Sequence, residues 1–488
     1  MSNLPDFFDD KPRDKCGVMA LFGHPRAAEL TYLGLYALQH RGQESAGVVS
    51  SDGQKLYSHR GMGLLADVFR DQSKFEELRG NWAIGHVRYS TTGSSSLTNV
   101  QPLMVITKDG PLAVAHNGNI TNERALRKEL EGEGAIFQTT SDSELFVHLI
   151  ARSKKTTSAQ RLADAVSVLE GAFSVVLITK DEVLAARDPH GFRPLAMGRM
   201  GDGYVFASET CAFDIIGATY ERDVNAGEIV TISSRGMESI QYAEANLNMC
   251  VFELIYFARP DSHIYGTSVD KVRRKLGKIL AEESPAEGDV VISVPDSSNT
   301  SAIGFARQSN LKFEIGLIRN HYIGRTFINP SQFMRSYNSR IKYNPVRGVL
   351  EGRRVILVDD SIVRGTTLKK LVGVIKAAGA TEVHVRIASP PVRWPCFYGM
   401  DYPTRRELIA AFATPEEIES YLGVNSLRYL SHEGMLAATR DTPTNYCTAC
   451  FSGRYAVPLK DPAQLAELTE PDKEWARAEL ERVLKTME

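Results

Sequence analysis

The second half of the chain alternates Val/Ile-rich runs with helical patterns, and few folds accept that arrangement. "DVVISVPDS" (Asp289 to Ser297), "FEIGLI" (Phe313 to Ile318), "RRVILVDDS" (Arg353 to Ser361) and "EVHVRIAS" (Glu382 to Ser389) read as strands. Val269, Val272, Leu276, Ile279 and Leu280 mark one face of a helix, and an amphipathic pattern recurs over Thr367–Ala378. Apolar runs separated by helices predict an α/β domain with a parallel sheet covered on both faces. The first half has a different grammar. Short β-rich runs such as "FSVVLIT", "EVLAARD" and "YVFASE" are separated by turns, with helical patterns chiefly at Glu29–Gln39 and Asp142–Ser153. Clustered strands with few helices predict an α+β domain of layered sheets with helices packed on their faces. The expected division is a leader over 1–15, a first domain over 16–245, a second over 246–460 and a C-terminal helix over 461–488. A chain of 488 residues is long enough for both cores.

Composition excludes several classes. A net charge of −2 gives no electrostatic footing for nucleic acid or an anionic membrane. No apolar run approaches the roughly 20 residues of a membrane helix. The leader Met1–Lys15 carries Asp6, Asp9, Asp10 and Asp14 without an apolar core, so it is not a secretory signal. A cytoplasmic protein is expected, whose six cysteines serve as thiols or metal ligands rather than disulfides.

Two stretches carry chemistry. In Arg353–Thr367 an apolar strand ends in Asp359 and Asp360, and a turn with Ser361, Arg364, Gly365, Thr366 and Thr367 leads into a helix. Backbone N–H groups at such a helix start suit a phosphate. The paired acids suit sugar hydroxyls or a Mg²⁺ carried by the substrate. No G-x-x-x-x-G-K-[ST] occurs, which argues against a P-loop NTPase. The other stretch is Cys16, at the mouth of the first expected strand, Val18–Phe22. Inside a chain it has only an amide beside it. With the leader removed it would carry an α-amine of pKa about 7.7–8, so that one residue would supply nucleophile and base. The leader is therefore expected to be a propeptide.

The motifs "LQHRGQESAG", "GHVRYSTTG", "AHNGNITN" and "TTSDSE" follow Cys16 in order and resemble those of N-terminal-nucleophile glutamine amidotransferases. The resemblance implies that Arg88 and Thr91 hold the glutamine carboxylate and Asp142 its ammonium, and that Asn117 and Gly118 donate to the oxyanion. The run Arg353–Thr367 resembles the phosphoribosyltransferase signature. Together, from Cys16 to about Tyr455, the chain resembles the glutamine phosphoribosylpyrophosphate amidotransferase family, which makes phosphoribosylamine at the start of purine synthesis. "YFARPDS", "VPDSSNTSAIG" and "RNHYIGRTFINPSQ" extend the match.

That resemblance implies Mg²⁺ at Ser297, Asp359 and Asp360. It implies a [4Fe–4S] cluster on Cys250, Cys396, Cys447 and Cys450, with zinc as the alternative for these four. It also implies purine nucleotides as feedback inhibitors and a homotetramer. Cys211 has no match and is expected in the core. Rival readings are a hexosamine-forming amidotransferase, which needs a sugar-isomerase second half, and a phosphoribosyl-pyrophosphate-sensing regulator, which needs a basic DNA-binding module. The long connection from about Asn320 to Gly352, with Arg325, Arg335, Arg340, Lys342 and Arg347, is expected to close over the pyrophosphate as a lid.

Overall fold

The computed structural model describes residues 16–89, 96–320, 343–400, 404–439 and 445–469. The leader, most of the C-terminal expected helix and residues 321–342 of the long connection lie outside these ranges.

The first half builds two sheets face to face. The first holds seven strands in the spatial order Thr219–Asp223, Ala196–Met200, Gly203–Ala207, Cys16–Phe22, Trp82–Arg88, Ser45–Ser51 and Leu56–Met62. The second holds six, in the order Gly236–Gln241, Glu228–Ser233, Glu182–Arg187, Gly171–Thr179, Gly110–Ile120 and Leu103–Thr107. Alternation along each strand separates its two faces. Val18, Ala20 and Ile84 turn inward and pack against Ala113, Ala115, Val176 and Ile178 of the opposing sheet. Met19, Leu21 and Val48 turn outward onto helices Ala27–Ala37 and Cys211–Ile216. Helices Glu144–Arg152 and Ser158–Ser167 cover the far face of the second sheet. The result is a four-layer helix–sheet–sheet–helix stack, as the clustered strands predict. Cys211 is buried at the start of its helix, within the outer core.

The second half builds a four-stranded parallel sheet in the order Val290–Ser293, Arg354–Asp359, Glu382–Ile387 and Ser426–Tyr429. Val291, Ile356 and Val358 face helices Val269–Glu283 and Asn299–Gln308. Val290, Ile292, Val355 and Leu357 face helices Thr366–Ala377 and Pro415–Leu422. Burial on both faces is why these strands are continuously apolar. One expected strand is corrected. In "FEIGLI" only Leu317–Arg319 is extended, and it pairs antiparallel with Tyr343–Pro345 outside the main sheet. The start of the run only touches the parallel sheet, where Phe313 bridges to Val291: the Val291 N–H donates to the Lys312 carbonyl (2.9 Å) and the Glu314 N–H donates to the Val291 carbonyl (3.0 Å).

Candidate active sites

The first site forms where the two sheets of the first half meet. Cys16 opens its strand directly opposite Arg88 in the antiparallel ladder, and both side chains are buried. Parity places Cys16, His86 and Arg88 on the inward face with Val18, Ala20 and Ile84. On the opposing sheet, Asn117 shares the inward parity of Ala113 and Ala115. Its side chain is fully buried, and neither amide atom has a hydrogen-bond partner. A buried amide without partners is costly, and it is explained if a ligand completes it. Gly118 follows with φ +151°, and a Cβ there would stand 2.0 Å from the Ala172 carbonyl oxygen, so glycine alone fits.

Asp142 is clipped to the same strand. Its Oδ2 accepts from the Ile120 N–H at 3.0 Å, and its Oδ1 lies 3.9 Å from His116 Nδ1. The loop carrying it is held from all sides. Glu144 accepts from the N–H groups of Gln138 (2.8 Å) and Thr139 (2.7 Å), while Asn99 Oδ1 accepts from the Thr140 N–H (3.0 Å). Arg127 donates to the carbonyls of Thr139 (3.2 Å) and Ser141 (3.1 Å). His86 Nε2 donates to the His116 carbonyl at 3.0 Å, and complete burial drops the imidazole to a pKa of about 3, which keeps it neutral. By parity the Cys16 thiol, the Arg88 guanidinium and the Asn117 amide share the space between the sheets, and the Asp142 carboxylate is fixed at the end of the Asn117 strand. Thr91 lies outside the described residues.

The second site sits at the carboxyl end of the parallel sheet, where ligands bind in open α/β folds. Asp359 and Asp360 are buried at the end of their strand. Ser297 Oγ donates to Asp360 Oδ2 at 2.5 Å, and Ser361 Oγ donates to Asp360 Oδ1 at 2.8 Å. Ser298 Oγ lies 2.7 Å from Asp359 Oδ1 and 3.2 Å from Asp360 Oδ2. The structure thus brings together Ser297, Asp359, Asp360 and Ser361, and adds Ser298, whose signal was only its place beside Ser297. Gly365 caps the following helix in the left-handed region (φ 78°), so no capping side chain covers the helix start at Thr366 and Thr367. Arg364 pairs with Glu407.

Arg347 corrects part of the lid expectation. It donates to the Ala377 carbonyl at the far end of the Thr366–Ala377 helix, away from the phosphate loop. The other four basic residues of that set lie outside the described ranges.

None of the six cysteines forms a disulfide. Cys250 and Cys447 are directly opposed in a two-stranded parallel ladder formed by Met249–Cys250 and Tyr446–Cys447. The Tyr398 N–H donates to Cys396 Sγ at 3.4 Å, and the Cys450 carbonyl accepts from the N–H groups of Arg393 and Trp394 at 2.9 and 3.0 Å. Burial raises the Cys250 thiol far above its ordinary range and Cys447 to about 12, so both stay protonated unless a cation lies among them. Four thiols of one neighbourhood, none oxidised, are a donor set of the right kind for a metal cluster. Among the described residues, however, no three His, Cys, Asp or Glu side chains are drawn close enough to hold a metal ion.

A surface cavity of 290 Å³ between Thr107, Arg161 and Arg235 is lined by no residue of either site. It opens at the start of the Gly110–Ile120 strand, roughly 23 Å from Asn117. No helix among the described residues is long and apolar enough to cross a membrane.

Sequence reasoning missed a group of buried charges between the two sites, Glu209, Glu253, Arg193 and Arg273. Signals were present. Glu253 interrupts the apolar run "VFELIYF", and Arg273 falls four residues after Val269 and three before Leu276, on the apolar helix face.

Two family models match the chain, a glutamine amidotransferase domain over residues 86–214 and a phosphoribosyl transferase domain over 263–389. An amidophosphoribosyltransferase of Bacillus subtilis is 48% identical over 94% of this chain and 97% of its own length. The chloroplastic amidophosphoribosyltransferase of Vigna aconitifolia is 52% identical over 92% of this chain and 93% of its own. The solved glutamine phosphoribosylpyrophosphate amidotransferase from B. subtilis, complexed with ADP and GMP, superposes with a TM-score of 0.87 at 48% identity, covering 92% of this chain and 98% of that one.

Proposed function

The chain belongs to the amidophosphoribosyltransferase family, and from that premise we propose that it converts glutamine and phosphoribosyl pyrophosphate into 5-phosphoribosylamine, glutamate and pyrophosphate, opening purine synthesis. The division proposed is an amidotransferase domain over 16–245 and a phosphoribosyltransferase domain over 246–460. The Cys16 thiolate attacks the side-chain carbonyl of glutamine, and its α-amine, freed when the leader is removed as a propeptide, carries the thiol proton to the leaving ammonia. The Asn117 amide and the Gly118 N–H receive the oxyanion, an interaction worth roughly 10²–10³ in turnover per donor. Arg88 and Thr91 take the substrate carboxylate and Asp142 its ammonium. Water then releases glutamate from the thioester.

Ammonia crosses to the second site and attacks C1 of the ribose as pyrophosphate leaves. Ser361, Arg364, Gly365, Thr366 and Thr367 cradle the 5-phosphate at the helix start, and Asp359 and Asp360 face the ribose hydroxyls. Mg²⁺ arrives with the substrate, where Ser297, Asp359 and Asp360 would hold it and where it neutralises pyrophosphate charge. Cys250, Cys396, Cys447 and Cys450 would hold a [4Fe–4S] cluster whose contribution is structural. Purine nucleotides as feedback inhibitors, a homotetramer and a cytoplasmic location complete the proposal on family grounds.

The observation that carries the glutaminase reading is the buried, unpartnered Asn117 amide facing the layer that holds Cys16. Cys16→Ala is expected to abolish glutamine-dependent product and to retain product formation from added ammonia. Loss of both in a folded protein rejects the two-site reading. Anaerobically purified protein is expected to contain about four irons; stoichiometric zinc instead would assign the cysteines to a different metal.

A further inference from the structure

The strand that carries Asn117 and Gly118 loses its outer neighbour just before the site. Its ladder with Leu103–Thr107 ends at the pair Leu103–Val114, and Pro102, next in line, has no N–H to continue it. The His116 N–H beyond that point would be a buried donor without an acceptor. Gln101 supplies one: its Oε1 accepts from the His116 N–H at 2.8 Å. A backbone N–H can only donate, so this bond orients the amide and turns its Nε2 the other way. Nε2 donates to Ser143 Oγ at 3.0 Å. Ser143 follows Asp142 in the chain, and its Oγ lies 3.1 Å from His116 Nδ1 and 3.4 Å from Asp142 Oδ1. One buried amide thus holds the oxyanion strand with one arm and the Asp142 loop with the other.

Gln101 is itself fixed. Arg60, on the edge strand of the first sheet, donates to the carbonyls of Val100 (2.8 Å) and Pro102 (3.4 Å), on either side of it. A Cβ on Gly47 would stand 2.5 Å from the Gln101 carbonyl oxygen, so the first sheet packs directly on this backbone. Asn99, two residues earlier, binds Thr140 through both ends of its amide, at 3.0 and 2.8 Å. The ring of His116 closes the network against the oxyanion position: a Cβ on Gly118 would lie 2.8 Å from His116 Nε2.

Neither Gln101 nor Ser143 has a part in the chemistry proposed above. We propose that Gln101 is a positioning residue of the glutamine site. Its acceptor arm sets the Asn117 and Gly118 donors for the transition state, and its donor arm sets Asp142 for the substrate ammonium. The proposal rests on the glutaminase reading. The two arms of Gln101 act on different kinetic constants. Oxyanion contacts that strengthen in the transition state appear in kcat, whereas ammonium contacts made throughout appear in KM. Glutamate release by the mature protein is followed against glutamine concentration. Ser143→Ala cuts the donor arm alone and should raise KM about tenfold, with kcat reduced less than about twofold. Gln101→Met keeps the length and loses both arms, so it should raise KM to the same degree and lower kcat about tenfold as well. In the double variant KM should be no higher than in Ser143→Ala alone, since both changes cut one path. Product formation from added ammonia, made at the second site, shows that each variant is folded. A folded Gln101→Met with kcat and KM both within about twofold of the wild type overturns the proposal. So does a Ser143→Ala whose kcat falls as far as that of Gln101→Met, or whose KM does not move. The KM of Ser143→Ala decides the matter if Gln101→Met does not fold. A wild type that releases no glutamate from glutamine rejects the glutaminase reading instead.

Discussion

At the scale of single residues, the aim of Asp142 is set by side chains that never meet the substrate. Glu144 ties down the two peptide N–H groups that open its loop. Burial alone would raise this carboxyl, but His148 and the N–H groups of Gln138 and Thr139 bring it to about 2. Glu144→Gln replaces two charge-assisted bonds with neutral ones and should raise the KM for glutamine about tenfold, with the ammonia reaction unchanged. Steady-state kinetics with the two nitrogen donors checks this. His86 makes a second prediction. Its folded pKa of about 3 lies below the unfolded value of about 6.5, so below that pH the unfolded chain binds the proton first. The stability tied to neutral His86 is complete above pH about 6.5 and is lost progressively as pH falls toward 3. Melting temperatures from pH 8 to 4 should decline below pH 6.5, and His86→Asn should flatten part of that decline. An identical slope in the variant would assign the decline to other groups.

At the scale of elements, Gly365 turns a strand end into a phosphate cradle. Its positive φ and the approach of a Cβ to Ile409 and Tyr421, both at 3.3 Å, oppose any side chain there. Gly365→Ala should cost about 1–2 kcal/mol in stability and raise the KM for phosphoribosyl pyrophosphate; denaturant melts and initial rates read both. The elements around this turn were the most legible in the sequence, because burial on two faces leaves a continuous apolar run. "RRVILVDDS" and Thr367–Ala378 correspond within two residues to the observed strand Arg354–Asp359 and helix Thr366–Ala377. "FEIGLI" misled because its apolar residues are not all buried: Ile315 is 62% and Ile318 53% exposed. The ordered motifs around Cys16 were legible as chemistry, whereas the register that sets Cys16 against Arg88 was not. The group of buried charges between the sites was illegible for a related reason. Arg41 and Glu253 stand 212 residues apart, and no local period announces such a pair.

Across the whole molecule, the segment after Cys396 braces the first half. Asn119, next to Gly118, donates to the Phe397 carbonyl at 2.9 Å, Tyr398 stacks on Phe192 at 4.2 Å, and Arg193 donates to the Gly399 carbonyl. Tyr398→Ala should cost about 3–5 kcal/mol and lower glutaminase activity more than the ammonia reaction, since the oxyanion strand loses its support. Equal losses in both activities would mean that the stack serves general stability alone. The hold of the second half on Glu209 bears also on transplantation of the amidotransferase half to other acceptor enzymes. The obvious cut lies in the irregular stretch Glu244–Asn248. A chimera joined there would leave Glu209 buried opposite a foreign chain, without the Arg259 N–H and the Ser262 hydroxyl that now satisfy it. A donor fragment carried through Ser262 takes its own lock with it, and Glu253 as well, so the portable module is longer than its two sheets.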